Sequence, residues 1–228
     1  MTRLYVLVEG PTEREFVTHV LEPHLQAYDV WVHPPVIVQT SRDADGHKHV
    51  GGGKWKHWRR DLEILTAQQT DPAVRFTTLF DLYGLPSDFP ELERHTTDPD
   101  TSRRADKLAA AMSLAISDRR LIPYIQRHEF EALVLAGLES LETLLDEATD
   151  LRGVQNLRAI VQSKAPEDIN DGPFTAPSKR LKQHIPSFRK TVHGVLTVQA
   201  AGLHALRQAC PRFNAWVQKL EALGRTQL

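Results

Sequence analysis

The chain has a single cysteine, Cys210, which excludes an intramolecular disulfide framework and a cysteine-based zinc site. Cys210 falls in a helical pattern close to Phe213 and Trp216, so its thiol is expected to be a buried packing group rather than a nucleophile. Net charge is also lacking, since 28 Lys and Arg stand against 29 Asp and Glu. A chain this near neutrality has no overall pull toward nucleic acid or membrane, and any basic surface must be local. No run approaches the roughly 18 consecutive apolar residues of a membrane-spanning helix. The N-terminal apolar run is too short for a signal peptide and leads into Glu9. A soluble, cytoplasmic protein is therefore expected. Internal repeats and low-complexity tracts are missing too. Gly51-Gly52-Gly53-Lys54 lacks the spacing, and the Ser or Thr after the lysine, of a nucleotide-binding P-loop.

What is present suits one elaborated domain or a core with an appended lobe: 228 residues, 41% of them apolar. The organising stretch is Leu4-Tyr5-Val6-Leu7-Val8-Glu9-Gly10-Pro11-Thr12-Glu13. Its apolar run fits a strand buried on both faces, ending on Glu9 and turning at Gly10. Thr12 and Glu15 have the spacing of a capping box. Phe16, Val17, Val20 and Leu21 then recur at helical intervals. Open α/β sheets bind ligands outside the carboxyl ends of their strands, where Glu9 and Glu13 are placed. An acidic pair there suits a divalent metal, although two glutamates at a helix start also complement the helix dipole.

The pattern recurs. Val30–Val32 and Val36–Val38 read as a second strand broken at Pro34-Pro35. Val74–Phe80 is a strand that ends on Asp81 before Gly84 turns the chain. In a parallel sheet Asp81 can approach Glu9 along one edge. Leu121–Gln126 is a further short strand, followed by Glu129 and Glu131. Residues spaced i, i+2 on a helix cannot both face one point, and Glu129, nearer the strand end, is the favoured one. The segment Ser41–Lys54, with Asp43, Asp45, His47 and His49, is expected to be a mobile loop. After it, Lys54, Lys56, Arg59 and Arg60 alternate with Trp55 and Trp58. These residues either hold a phosphate backbone and stack bases, or form a solvated basic face over two core tryptophans. His47, His49 and His57 offer a zinc reading that lacks a closing ligand. From Leu138 onward the periodicity is helical.

Strand–Glu–Gly–helix, then strand–Asp, then an acidic residue after a later strand resembles the Toprim fold of topoisomerases, primases and overcoming-lysogenisation-defect nucleases. A closer resemblance is to a Toprim-related bacterial family, domain of unknown function 4276. It is carried by Val8-Glu9-Gly10-Pro11-Thr12-Glu13, Phe80-Asp81-Leu82-Tyr83-Gly84, Ile125–Leu133, Pro177-Ser178-Lys179-Arg180 and Cys210–Asn214, in order through almost the whole chain. The resemblance implies an α/β fold with a mainly parallel Toprim-like sheet flanked by helices (residues 1–137), and the helical periodicity after it reads as a C-terminal helical lobe (138–228) packed on that core. It further implies a Mg²⁺ or Mn²⁺ site at Glu9 with Glu13 and Asp81 at or beside the ion. One departure stands out. Toprim enzymes carry Asp-x-Asp where this chain has Asp81-Leu82-Tyr83, and a tyrosine is a poor Mg²⁺ ligand. Either Glu129 or Glu131 supplies the missing charge, or the site holds one metal.

The function implied is a metal-dependent nuclease acting on DNA or RNA, in defence against mobile elements, with an ATPase partner. Glu9, Glu13, Asp81 and Lys179 would be its catalytic set, with Lys179 stabilising the reacting phosphate and Arg180 holding nucleic acid. Tyr83 in place of a carboxylate motivates the alternative of a non-catalytic subunit that binds nucleic acid or a partner.

Overall fold

Two strands, β1 (Thr2–Val8) and β6 (Val74–Asp81), lie side by side at the middle of a parallel sheet, in register from Arg3 with Val74 to Val8 with Leu79. The computed structural model describes residues 1–42, 48–50, 53–170 and 174–225, with backbone alone for 39–42, 48–50 and 225. β2 (Val30–Val32) and β3 (Val36–Ile37) flank β1, and β7 (Leu121–Ile122) and β8 (Ile125–Gln126) flank β6; every one of these pairings is parallel. The expected α/β sheet is thus present.

Prolines break both outer strands. At Pro123 the ladder is repaired by side chains: the Thr78 hydroxyl donates to Tyr124 O (2.8 Å) and accepts from Tyr124 N–H (2.9 Å). Next to it, the Thr77 hydroxyl donates to Ile122 O (2.6 Å) and accepts from the Trp216 indole (2.9 Å). These bonds allow two threonines to be buried at a sheet centre.

From β1 the chain moves outward to β2 and β3, then crosses back to β6 on the other side. Strand order therefore reverses between β1 and β6, and the crevice beyond their carboxyl ends is where such sheets take ligands.

Helices cover both faces, which explains the unbroken apolar run of β1. On one face, Leu4, Val6 and Val8 pack with Phe16, Leu21, Leu206, Phe213, Trp216 and Leu220. On the other, Leu7, Phe76 and Phe80 meet Trp58 and Leu62 of the helix Trp55–Gln68 and Leu108 and Met112 of the helix Thr101–Ile116. Residues on both sides of 137 share the first of these cores. Fully burying one such side chain contributes about 1.5–3 kcal/mol. Cys210 belongs to that core, and burial pushes its thiol well up, as suits a packing group.

Three local expectations change. The helical stretch 11–26 starts with Gly10 as N-cap and Pro11 at N1, with no side-chain cap, so Thr12 is already inside the helix. Glu15 closes no capping box; it pairs on the surface with Arg14 (2.9 Å) and His19 (3.1 Å). The same stretch widens into a π turn at Val17–Leu21. Pro23 has no N–H for the His19 carbonyl and its ring presses on that group, which a wider turn accommodates. Finally, part of the loop expected at 41–54 is paired: β4 (Gln39–Arg42) and β5 (Lys48–Val50) form an antiparallel ribbon. The backbone finds its partners there in spite of a polar composition. Asp43, Asp45, His47, Gly51 and Gly52 lie outside the described residues. Among the described residues no helix is long and apolar enough to cross a membrane.

Candidate functional site

Glu9 is the first residue past β1, and Asp81 is the last of β6. The Asp81 backbone N–H donates to Glu9 Oε1 at 2.6 Å, tying the two strand ends together. Glu13 stands in the first turn of the helix after Gly10, and Glu131 opens the helix Glu131–Ala136 beyond β8. A fifth residue closes the group. Lys190, at the start of the π turn Lys190–Gly194, places its Nζ 3.2 Å from Glu13, 3.3 Å from Glu131 and 3.7 Å from Asp81. Its stem runs beside Phe130, with Nζ 5.9 Å from the ring centroid.

Two glycines make room for this. A Cβ on Gly84 falls 2.3 Å from Glu9 Oε2, and one on Gly10 falls 3.2 Å from Glu13 Oε2. The turn after Asp81 therefore runs against the Glu9 carboxylate with no space for a side chain.

Four carboxylates face one ammonium, and the electrostatics follow from that ratio. Burial raises Glu9 to about 8; the Asp81 N–H and Lys190 oppose the rise, while Glu13 and Glu131 add to it. Burial likewise raises Asp81 and Glu131, in each case against the pull of Lys190. Burial would lower Lys190, but Asp81, Glu13 and Glu131 outweigh it and hold the ammonium above its usual range.

The donor set fits a hard divalent cation. Every oxygen comes from a carboxylate, as Mg²⁺ and Mn²⁺ prefer. Asp81 Oδ1 is buried with no hydrogen-bond partner, and the charge is short of cations. Among the described residues no three of these side chains stand in ligand geometry as they are, and the Lys190 ammonium occupies the space between three of them.

Of Glu129 and Glu131, the structure brings Glu131 into the carboxylate group, whereas Glu129 was the expected one. The helix begins at Glu131, after His128 adopts a left-handed backbone (φ 62°), and this directs Glu131 to Lys190. Glu129 instead accepts hydrogen bonds from Ser178 N–H (2.8 Å) and Ser178 Oγ (3.0 Å) at the start of the helix Pro177–His184. Lys179 is exposed on that helix and makes no ion pair with the carboxylates; Arg180 Nε donates to Thr175 O (3.1 Å). The lysine beside the carboxylates is Lys190 rather than Lys179. In the sequence its only signal is the basic run Pro186-Ser187-Phe188-Arg189-Lys190 between helical segments.

Lys54, Lys56, Arg59 and Arg60 lie on an exposed helix face, with Arg59 paired to Glu63 (2.7 Å). Trp55 and Trp58 are buried against Phe89 and Phe80, so neither ring is offered to a base. His57 is on the same helix, but His47 and the side chain of His49 fall outside the described residues. Tyr83, 40% exposed, is hydrogen-bonded by Asn170 rather than facing Lys190.

No curated protein matches the chain. Two solved structures of the C-terminal region of the Xanthomonas campestris pv. campestris OLD protein, phased with mercury and with iodine, are similar to it. Both are 14% identical, with TM-scores of 0.41 and 0.39, over 99% of this chain and 98% and 95% of theirs. The family model for a domain of unknown function, DUF4276, matches residues 8–221, a span that holds Glu9, Glu13, Asp81, Glu131 and Lys190 alike, and the chain belongs to that family.

Proposed function

We propose that this protein is a divalent-metal-dependent nuclease that cleaves phosphodiester bonds in DNA or RNA. The observation that carries the reading is the meeting of Glu9, Glu13, Asp81 and Glu131 around Lys190 at the point where strand order reverses. Glu9, Asp81 and Glu131 are the residues that would hold Mg²⁺ or Mn²⁺, with Glu13 beside them. Bound there, such an ion supplies charge neutralisation at the scissile phosphate and a water of lowered pKa. The missing second Asp of the Toprim pattern is made good by carboxylates from two other elements, Glu13 and Glu131.

The chain's own residues have separate tasks. Glu9, locked by the Asp81 N–H, fixes the distance between the two central strand ends. Lys190, a third exposed, has a flexible stem and three donors, so its ammonium can turn from Glu13 and Glu131 to a non-bridging phosphate oxygen. Charge placed where it develops in the transition state is the larger part of phosphoryl-transfer catalysis.

The test is single-turnover cleavage of single- and double-stranded DNA and RNA with Mn²⁺ or Mg²⁺. Glu9→Gln, Asp81→Asn and Lys190→Met should each lower the rate by about 10²–10³-fold with the fold intact. Lys179→Ala should change it far less. A well-folded Glu9→Gln protein that cleaves at the wild-type rate would sink the reading. A wild-type protein that binds nucleic acid but cleaves with neither metal would be the non-catalytic binding subunit.

A further inference from the structure

Beside the carboxylates lies a positive lane that the proposed chemistry does not use. Past Asp81 the backbone continues along β8: Leu82 N–H donates to Gln126 O and Tyr83 N–H to His128 O, both at 3.0 Å. The Tyr83 ring, 40% exposed, lies over the buried His128 imidazole with centroids 5.3 Å apart. Arg127 Nε donates to Thr101 Oγ1 (2.7 Å), and its guanidinium also meets Asp168. One turn along the same helix face stands Arg104, with its Nε buried and without a hydrogen-bond partner, and with no ion pair among the described residues. Burial pushes the Tyr83 phenol up, while Arg104, the hydrogen bond from Asn170 and, in smaller part, the Asp168-paired Arg127 pull against that rise.

Arg104 is the fourth residue of a 16-residue helix capped by Asp100, which accepts from Arg103 N–H (3.0 Å) through its side chain and from Arg104 N–H (2.9 Å) through its carbonyl. Its neighbour Arg103 is neutralised by Asp98 and Asp100. A guanidinium with no ion pair and a buried donor left without a partner is unfavourable in the free protein. A bound anion pairs the guanidinium charge.

We propose that Arg104 and Arg127, with the Tyr83 hydroxyl beside them, bind a phosphate of a nucleic-acid strand next to the one held at the carboxylates. The identity of the ligand rests on the nuclease reading. The guanidinium forks match phosphate oxygens in pairs, and the exposed Tyr83 ring offers a face to the adjoining sugar or base. The subsite thus selects a polymer backbone over a mononucleotide.

Short labelled single strands and duplexes of DNA and RNA, titrated in Ca²⁺ over a range of salt, provide the test. Arg104→Gln should raise Kd about tenfold and flatten the log Kd–log salt slope by about one. Arg104→Lys should recover part of both, because it restores charge without the fork. Wild-type Kd and slope in Arg104→Gln on all four probes, or no salt-dependent binding by the wild type, would overturn the proposal. If Arg104→Gln weakens binding while the wild type never cleaves with Mg²⁺ or Mn²⁺, the nuclease reading fails and the subsite stands. If the wild type cleaves and Arg104→Gln binds normally, the subsite fails and the nuclease reading stands.

Discussion

At Gly84 a single added methyl group decides whether Glu9 keeps its place, because it would lie 2.3 Å from a carboxylate oxygen. Gly84→Ala should therefore push that carboxylate off the Asp81 N–H and lower cleavage by about 10²-fold, the usual effect of a displacement near 1 Å. Unaltered far-UV circular dichroism with the rate lost is the expected pair of results. Glu9→Gln has an effect in the opposite sense on stability. Glu9 is raised from 4.5 to about 8, so the folded state binds more protons than the unfolded one across that window, and wild-type stability falls as pH rises through it. In EDTA the Gln variant should melt higher than wild type, by a margin that widens from pH 5 to pH 8; a constant margin would contradict the assignment. Not all of this was readable in the residues alone. Glu9, Glu13 and Asp81 were legible because strand ends and first helical turns are local patterns. Choosing Glu131 over Glu129 needed the left-handed backbone at His128, a conformation that histidine adopts more readily than most residues but that stays uncommon at any one position. Lys190 was illegible as a site residue because only tertiary packing brings it to Glu13, Asp81 and Glu131.

At the scale of elements, two helices sit so close to neighbouring backbone that only glycine fits. A Cβ on Gly153, in the helix Ala148–Ser163, would lie 1.8 Å from His184 O, and one on Gly224, in the helix Pro211–Arg225, 1.6 Å from Tyr28 O. Gly224→Ala should raise helix propensity by about 1 kcal/mol and still destabilise the protein, because the overlap with backbone cannot relax cheaply. A urea melt showing net stabilisation would mean that the C-terminal helix is free to move off Tyr28. Helix positions were largely legible from apolar periodicity, including the pair that closes the chain. Helix starts were not: Gly10 and Pro11 begin the first helix where a Thr12–Glu15 box was expected. The π turn needs Pro23 to be read against the carbonyl four residues earlier, which a hydrophobic pattern ignores.

Across the whole molecule, Glu221 links three helical segments, meeting Arg207 and His24, the latter at 2.6 Å. Burial would raise its carboxyl, but hydrogen bonds from Arg207 and His24 hold it below the usual range. A depressed carboxylate stabilises the fold above its unfolded pKa, and that contribution is lost as pH falls through the folded one. Glu221→Gln should thus cost roughly 1–3 kcal/mol near neutrality, with the difference shrinking on acidification below about pH 4. Denaturant melts at two pH values measure it, and a pH-independent cost would point to packing alone. The parallel sheet and its helical cover were legible as a whole because each strand was followed by a helix or a turn signal. The packed face of the C-terminal helices was legible too, for Leu203, Leu206, Phe213, Trp216, Val217 and Leu220 recur at helical spacing and all are buried; their sharing of one core with β1 needed the tertiary structure. The five residues of the carboxylate–lysine group are drawn from positions 9, 13, 81, 131 and 190, in an order that places the only cation last. During synthesis, all four acids emerge from the ribosome well before the lysine that balances them. A nascent chain halted before Lys190 holds an uncompensated acidic cluster and an unfinished core, so a truncated product should be both unstable and inert. The cluster is thus balanced only once the segment that carries Lys190 has packed against it.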